Sequence, residues 1–169
     1  MLRKVKVALQ LIILVILIGI VILVAGYMIK RKVYPSMTFI GYASVKLTSK
    51  EGDIIYIDPY FPVGDYLEPA DYILITHGHS DHNNISLCKK AKDCKIIRWN
   101  DALKDGEYQT FDYGNVKIEA VPAGGNSSHS ETTNVGYIVT VDGVSVYHAG
   151  DTSMIDGLKP LANKNIDYA

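Results

Sequence analysis

The sequence of 169 residues contains only two cysteines, Cys88 and Cys94. No second cysteine pair accompanies them, so a metal site built on cysteine ligands is not expected. A disulfide between them would require an oxidising compartment, and two separate, partly buried thiols are the preferred interpretation. Internal repeats and low-complexity tracts are absent as well. The length is that of a single domain.

Acidic residues are missing from the first 32 positions, which contain six of the 17 basic residues. From Val33 onward, 11 basic residues are set against 18 acidic ones, so this part carries a net charge of about −7. Proteins bind the phosphates of nucleic acids through basic surfaces. The charge therefore argues against a nucleic-acid partner.

A long uncharged run lies within the basic N-terminal segment. No charged residue occurs from Val7 to Met28. As a helix the run would extend roughly 33 Å, enough to cross a hydrocarbon core of about 30 Å. A cleaved signal peptide is the alternative, but the apolar part of such a peptide is usually shorter. We therefore predict that residues 1–32 form a single-pass transmembrane anchor; both flanks are basic, so the side of the membrane stays open.

Metal-ligand side chains are concentrated in one short stretch that follows an apolar run. Four of them fall within six positions: His77, His79, Asp81 and His82. Imidazole and carboxylate bind zinc and related divalent ions, and one loop with several such groups can serve two ions. His129 is the candidate for a third ligand beside His77 and His79, leaving an open position for water as catalytic zinc sites do. The alternative interpretation is a solvated loop that is rich in histidine.

The pattern His-x-His-x-Asp-His after a strand resembles the signature of the metallo-β-lactamase fold superfamily of hydrolases. Three further motifs agree with that family in order and spacing: Asp58-Pro59 at the end of a strand, Val121-Pro122-Ala123 before the loop to His129, and Gly150-Asp151-Thr152. The resemblance extends from about Thr38 to the last residue. Within the superfamily the sequence is most similar to the branch that includes sugar-lactone hydrolases.

The resemblance implies a hydrolase with two divalent ions, for which zinc is preferred and manganese is the alternative. The implied metal ligands are His77, His79, Asp81, His82, His129 and Asp151. Asp151 would bridge the ions, and Asp81 would also be catalytic. A metal-bound hydroxide would cleave an ester, a lactone or a phosphodiester in a small-molecule substrate.

Two more residues are candidates for supporting the metal ligands. Asp58 closes an apolar strand and could hydrogen-bond a ligand imidazole, as carboxylates in metal sites commonly do. An equal alternative is that Asp58 caps the turn that contains Pro59. His148 would support the site from the strand that leads to Asp151, or would simply pack there.

The expected fold of residues 33–169 is an α/β class αββα sandwich of the metallo-β-lactamase type, preceded by one transmembrane helix. Strands are predicted at residues 38–48, 54–58, 71–76, 95–98, 116–121, 135–141 and 144–147. A short helix is predicted from Asn83 or Asn84 to about Ala91. Asp142-Gly143 is a strong hairpin signal.

Members of the family usually continue beyond the Gly-Asp-Thr strand and supply one more histidine. Here residues 165–169 resemble the start of the next strand, and no histidine follows His148. We therefore expect an incomplete C-terminal half, as in a truncated gene product or a partial sequence. A catalytically inactive, metal-binding fragment of a hydrolase is the alternative function.

Overall fold

The computed structural model describes residues 6, 10, 12–21, 35–60 and 66–169. The chain divides into two compact units, Met1–Val33 and Tyr34–Ala169. In the first unit residues 12–21 are helical, and all ten residues are exposed. The other positions of the predicted anchor lie largely outside the described residues. Among the described residues, no helix is both long and apolar enough to cross a membrane.

The second unit contains a mixed five-stranded sheet. Its strands follow one another in space as in sequence: β1 (Ser36–Gly41), β2 (Ser44–Thr48), β3 (Ile54–Ile57), β4 (Ala70–Ile75) and β5 (Lys90–Arg98). The first three strands pair antiparallel, whereas β3, β4 and β5 pair parallel. The parallel strands end at the same edge of the sheet.

A second sheet of four antiparallel strands follows in the chain. It consists of β8 (Thr110–Asp112), β9 (Val116–Pro122), β10 (Val135–Val141) and β11 (Val144–His148). A small hairpin of β6 (Leu103–Lys104) and β7 (Glu107–Tyr108) lies between the two sheets in sequence. The helices in the described part of this unit are short: Ile85–Leu87, Trp99–Ala102 and Asp156–Asn163.

The main core lies between the two sheets, because one apolar cluster contains side chains of both. Ile55 and Ile57 of β3 belong to this cluster, together with Ile118 of β9 and Val139 of β10. The intervening side chains of β3 point to the opposite face of the first sheet and join a second apolar cluster. Since successive side chains alternate between faces, burial of both faces explains why β3 and β4 are continuous apolar runs.

Two predicted elements differ from the structure. The strand expected at residues 38–48 is a hairpin, whose chain reverses at Tyr42 with a φ of +51°. The predicted helix to about Ala91 is a single turn, Ile85–Leu87, and β5 begins at Lys90. Strand pairing explains why the helix ends early and β5 begins at Lys90. Ala70 N donates to Lys89 O, and this hydrogen bond starts the ladder between β4 and β5.

Other predictions of local structure are confirmed. Val141 pairs with Val144 across the turn at Asp142 and Gly143, which have φ angles of +51° and +87°. Two residues at positive φ are what a tight hairpin of this twist requires. Cys88 and Cys94 are free thiols, as the preferred interpretation holds.

Candidate metal centre

The loop that carries the histidine-rich motif begins where β4 ends. Hydrogen bonds from β10 of the second sheet fix the first residues of this loop. Tyr137 Oη of β10 donates to Ile75 O at 3.0 Å, and Val135 N donates to Thr76 O at 3.0 Å. Thr76 and His77 are buried as a result. The core between the sheets therefore fixes the direction in which the loop leaves the strand.

Tight turning of the loop brings its side chains together. His82 N donates to His79 O at 3.1 Å, which closes one turn of chain. Gly78 lies against the Trp99 ring, so that a Cβ at this position would be 3.1 Å from two ring carbons. Glycine is therefore the residue that allows this close approach of the loop to the indole.

Three of the predicted ligands form a first group of donor atoms. The atoms of His77, His79 and His129 that could bind a metal lie within 4.8 Å of one another. His77 Nε2 is 3.1 Å from His79 Nδ1, and the ring centroids of both residues are about 5 Å from that of His129, at 5.0 and 4.9 Å. His129 is 52 positions from His77, so the fold and not the local sequence makes this group.

A second group shares His77 with the first. Donor atoms of His77, His82 and Asp151 also lie within 4.8 Å of one another. Asp151 faces two histidines with different oxygens: Oδ1 is 3.3 Å from His82 Nε2, and Oδ2 is 3.1 Å from His129 Nε2. Asp151 therefore contacts one histidine of each group.

Asp81 differs from the other predicted ligands. Its side chain is 52 % exposed, and its Oδ2 lies 3.8 Å from His82 Nε2. Among the described residues it belongs to neither group of converging donor atoms. The structure thus brings together five of the six predicted ligands and leaves Asp81 at the periphery.

Asp58 lies beneath the centre and is fully buried. Its Oδ1 accepts a hydrogen bond from Thr76 N at 2.8 Å. Its Oδ2 is within hydrogen-bond distance of three groups: Thr76 Oγ1 at 2.7 Å, His82 Nδ1 at 2.8 Å and His148 Nε2 at 3.1 Å. Asp58 therefore contacts a member of the second group directly, and His148 reaches the site through Asp58.

The environment of Asp58 favours its charged form. Burial is the strongest single influence on the pKa of Asp58 and would raise it. The hydrogen bonds and charges of His148 and His82 together outweigh burial and lower this pKa to about 2. A buried carboxylate that stays ionised can hold the imidazoles above it in one orientation.

The imidazoles of the second group differ in their affinity for protons. Burial, and then the charge of His82, lowers the pKa of His77 to about 4. For His82 burial acts in the same direction, but the hydrogen bond to Asp58 and the charges of Asp58 and Asp151 raise its pKa. His77 is thus neutral at neutral pH, which is the form that binds metals.

The glycine- and serine-rich loop before His129 is tied to the segment after Asp151. Ser153 N donates to Gly124 O at 2.8 Å, and Gly124 N donates to Thr152 Oγ1 at 3.1 Å. Within the loop, Asn126 Oδ1 accepts from His129 N at 3.0 Å and lies 3.1 Å from its Nδ1. These contacts turn the opposite nitrogen, Nε2, toward Asp151.

The donor set fits divalent metal ions. His129 Nε2 is buried and has no hydrogen-bond partner among the described residues, although Asp151 Oδ2 lies 3.1 Å away. A buried nitrogen without a partner is costly unless a further group binds it. Imidazole nitrogens and carboxylate oxygens are the ligands of zinc and manganese sites.

Two residues of the centre were not singled out by the sequence. Thr76 contacts both Asp58 and His77, and Asn126 contacts His129. A buried threonine at a strand end directly before the first histidine was an available signal. For Asn126, no pattern in the sequence distinguishes it from an ordinary loop asparagine.

The profile of the Beta-lactamase superfamily domain matches residues 36–168 of this chain. The chain belongs to this superfamily. Its matched region includes both sheets and every residue of the two donor groups. The predicted membership of the superfamily is thereby confirmed.

Similar proteins within the superfamily come from bacteria and archaea. A UPF0173 metal-dependent hydrolase of Anoxybacillus flavithermus is 31% identical over 160 residues, which cover 79% of this chain and 71% of that protein. A protein of the same description from Pyrococcus furiosus is 32% identical, with coverage of 75% and 65%. The crystal structure of a protein from Parabacteroides distasonis, described as a metal-dependent hydrolase, superposes with a TM-score of 0.66 at 36% identity, covering 79% of this chain and 67% of that one.

Proposed function

We propose that this member of the beta-lactamase superfamily is a metal-dependent hydrolase with two divalent ions, preferably zinc, that cleaves an ester, a lactone or a phosphodiester. One observation carries the proposal: two groups of donor atoms share His77 and meet at Asp151. Relatives described as metal-dependent hydrolases support the reaction class.

Each ion has its own candidate ligands. His77, His79 and His129 would hold one ion, and His82 with Asp151 would hold the second. When bound there, the ions would lower the pKa of a water molecule toward neutrality and would polarise the substrate oxygen. No serine or cysteine nucleophile is then needed.

The chain's own side chains prepare the centre for this chemistry. Asp58 keeps His82 in place with its Nε2 toward Asp151, because it binds the opposite ring nitrogen. Asp151 lies at the junction of the two groups, where its negative charge would offset the charge of bound ions. Ligands held in this way need not reorganise when ions bind, and pre-organisation of this kind favours both affinity and catalysis.

The proposal is tested with the full chain by measuring zinc and manganese stoichiometry together with hydrolysis of generic ester, lactone and phosphodiester substrates. We expect about two ions per chain, and turnover that falls at least 100-fold in His79→Ala. Lys92→Ala, a change at an exposed position of β5, is the matched control and should retain full activity. If the folded, metal-loaded protein shows no turnover, the proposed hydrolase function is contradicted.

The same experiment addresses the second candidate function, a metal-binding protein without turnover. The position of Asp81 favours this candidate, because the residue proposed as catalytic lies outside both donor groups. Under this alternative the ions bind with the same stoichiometry but no substrate is cleaved. Asp81→Ala would then leave the protein unchanged in every measurement, whereas in a hydrolase it lowers turnover.

We also propose that the N-terminal segment attaches the protein to a membrane, with the side of the membrane open. The ten exposed residues at 12–21 are all uncharged, and nearly all are apolar, so they present no polar face to water. Fractionation of cells that express the full chain, with extraction at alkaline pH, tests this. Leu17→Arg should release the protein because a charge at the centre of an inserted helix costs about 3 kcal/mol. Leu17→Ile is the control; release of the unchanged protein by the same extraction would exclude an anchor.

A further inference from the structure

We propose that Thr76 is a positioning residue of the metal centre: its hydroxyl fixes the tautomer of His77 so that the Nε2 lone pair faces the site. The hydroxyl lies between Asp58 and His77 and contacts both, with Oγ1 2.7 Å from Asp58 Oδ2 and 3.1 Å from His77 Nδ1. The role assigned to the lone pair rests on the proposed function, whereas the tautomer itself does not.

The hydroxyl proton of Thr76 is donated to Asp58. The Thr76 amide donates to Asp58 Oδ1, and histidine nitrogens approach Oδ2 of the same carboxylate. A carboxylate that is surrounded by donors acts only as an acceptor. The single proton of Thr76 Oγ1 therefore points at Asp58 Oδ2, over the shorter of its two contacts.

The Thr76 hydroxyl has no second proton to donate to His77. A threonine hydroxyl has one proton, which Thr76 donates in its hydrogen bond to Asp58. Toward the ring of His77, Oγ1 can therefore act only as an acceptor. His77 Nδ1 must then carry a hydrogen. In a neutral imidazole the other nitrogen is unprotonated, and His77 Nε2 lies 3.1 Å from His79 Nδ1 at the point where the two donor groups meet.

Close packing holds the Thr76 side chain in place. Thr76 is completely buried, and a Cβ at Gly150 would lie 2.8 Å from its Cβ and 2.9 Å from its Oγ1. Gly150 has a φ of +59° and directly precedes Asp151. The segment that delivers Asp151 to the centre therefore also packs against Thr76 and restricts its rotamer.

The test compares Thr76→Val, which keeps the shape but removes the hydroxyl, with Thr76→Ser, which keeps the hydroxyl. The primary measurement is the ¹⁵N spectrum of the imidazoles in the metal-free full chain, with the His77 signals assigned by their loss in His77→Gln. We expect His77 to be protonated at Nδ1 in the unchanged protein and in Thr76→Ser. In Thr76→Val we expect a shift toward the Nε2-protonated form.

Zinc affinity is the second measurement. Loss of a group that orients a ligand typically costs 10- to 100-fold in metal affinity. We expect a decrease of roughly that size in Thr76→Val and less than about threefold in Thr76→Ser, because only the first variant removes the acceptor of His77. Unchanged affinity and an unchanged tautomer in a folded Thr76→Val would overturn the proposal.

The outcomes distinguish failure of the proposed role of Thr76 from failure of the proposed hydrolase function. If His77 in the unchanged protein is protonated at Nε2, the proposed role of Thr76 is wrong, whatever the hydrolase activity. This measurement does not depend on whether Thr76→Val folds. The expected tautomers and affinities in a protein without turnover would instead support Thr76 and contradict the proposed function.

Discussion

Asp58 Oδ2 and His82 Nδ1 are 2.8 Å apart although 24 positions separate the two residues. Asp58 has a φ of +46°, a conformation that Asp tolerates better than most residues, at the point where β3 ends. The neighbouring parallel strand β4 ends beside it and starts the loop that contains His82. The parallel pairing of two strands thus places the carboxylate under the imidazole.

Asp58→Asn should weaken the centre strongly. An amide is close to the carboxylate in size, but its nitrogen is a donor and cannot accept from the threonine and histidine groups around it. We expect zinc affinity to fall by roughly 10- to 100-fold and the free energy of unfolding to fall by about 3 kcal/mol. Calorimetric titration and denaturant unfolding measure the two effects.

Asp105→Asn provides the control for that change. Asp105 also has a positive φ, +53°, but is exposed. The substitution Asp105→Asn should leave the zinc affinity unchanged. An equal effect of the two substitutions would show that the buried contacts of Asp58 do not support metal binding.

Substitution of single ligands should separate the two donor groups. His77 belongs to both groups, whereas His79 belongs to the first and Asp151 to the second. We expect His79→Ala, His77→Ala and Asp151→Ala each to retain about one tightly bound ion per chain, because the single free nitrogen of the His77 ring can bind only one ion. Metal analysis after dialysis against a weak chelator measures this. Retention of two ions by His77→Ala would contradict its role as a metal ligand.

Gly150→Ala should destabilise the protein more than a comparable change in a hairpin. A new Cβ would be 2.8 Å from Thr76 Cβ, at a φ of +59°. Gly143→Ala is the matched control, since its φ is +87° and no atom of the described residues lies within 4 Å of the added carbon. In the control we expect the free energy of unfolding to fall by about 1–2 kcal/mol, the cost of placing alanine at a positive φ.

For Gly150→Ala we expect a greater loss of unfolding free energy than in the control, together with lower zinc affinity. The steric conflict is with a residue that contacts His77. Thermal unfolding with and without zinc gives both quantities. Equal losses in the two variants would mean that the protein accommodates the extra carbon beside Thr76.

The thiol of Cys88 should be inert in the folded protein. Burial raises the pKa of Cys88 from its ordinary value of 9.0 to about 12, and only the thiolate reacts with disulfide reagents. At pH 8 we expect Cys94, which is partly exposed, to react with such a reagent faster than Cys88. Both should react at similar rates in denaturant.

The raised pKa of Cys88 also predicts a loss of stability in alkali. The folded protein binds this proton more tightly than the unfolded chain, so the stabilising effect is complete below pH 9 and is lost as the pH rises toward 12. Denaturant unfolding at several pH values measures the slope. Cys88→Ala should show a smaller decrease over this range, and an identical decrease would assign the effect to other groups.

Local patterns in the sequence were sufficient for some elements. The continuous apolar runs at β3 and β4 predicted buried strands, and Asp142-Gly143 predicted the hairpin between β10 and β11. In these cases periodicity and turn chemistry act over a few residues. The hairpin at Tyr42 was missed because a tyrosine at positive φ has no sequence signal of its own.

The predicted helix after Asn84 failed for a different reason. The residues around Cys88 have no strong preference for either structure, and the open edge of β4 supplies hydrogen-bond partners that extend β5 to Lys90. Pairing with a strand that lies elsewhere in the chain is a tertiary effect. It cannot be read from the local pattern.

The sequence by itself determined the family, because motif spacing is a property of the chain, and its apolar periodicity predicted the buried strands. The resemblance to that family then implied the sandwich architecture and the list of candidate ligands. Tertiary structure alone decided that His77 belongs to both donor groups, that Asp81 lies outside them, and that Thr76 stands between Asp58 and His77. These relations depend on distances between side chains that the two packed sheets bring together. No spacing along the chain encodes such distances, since the core sets the position at which each loop begins.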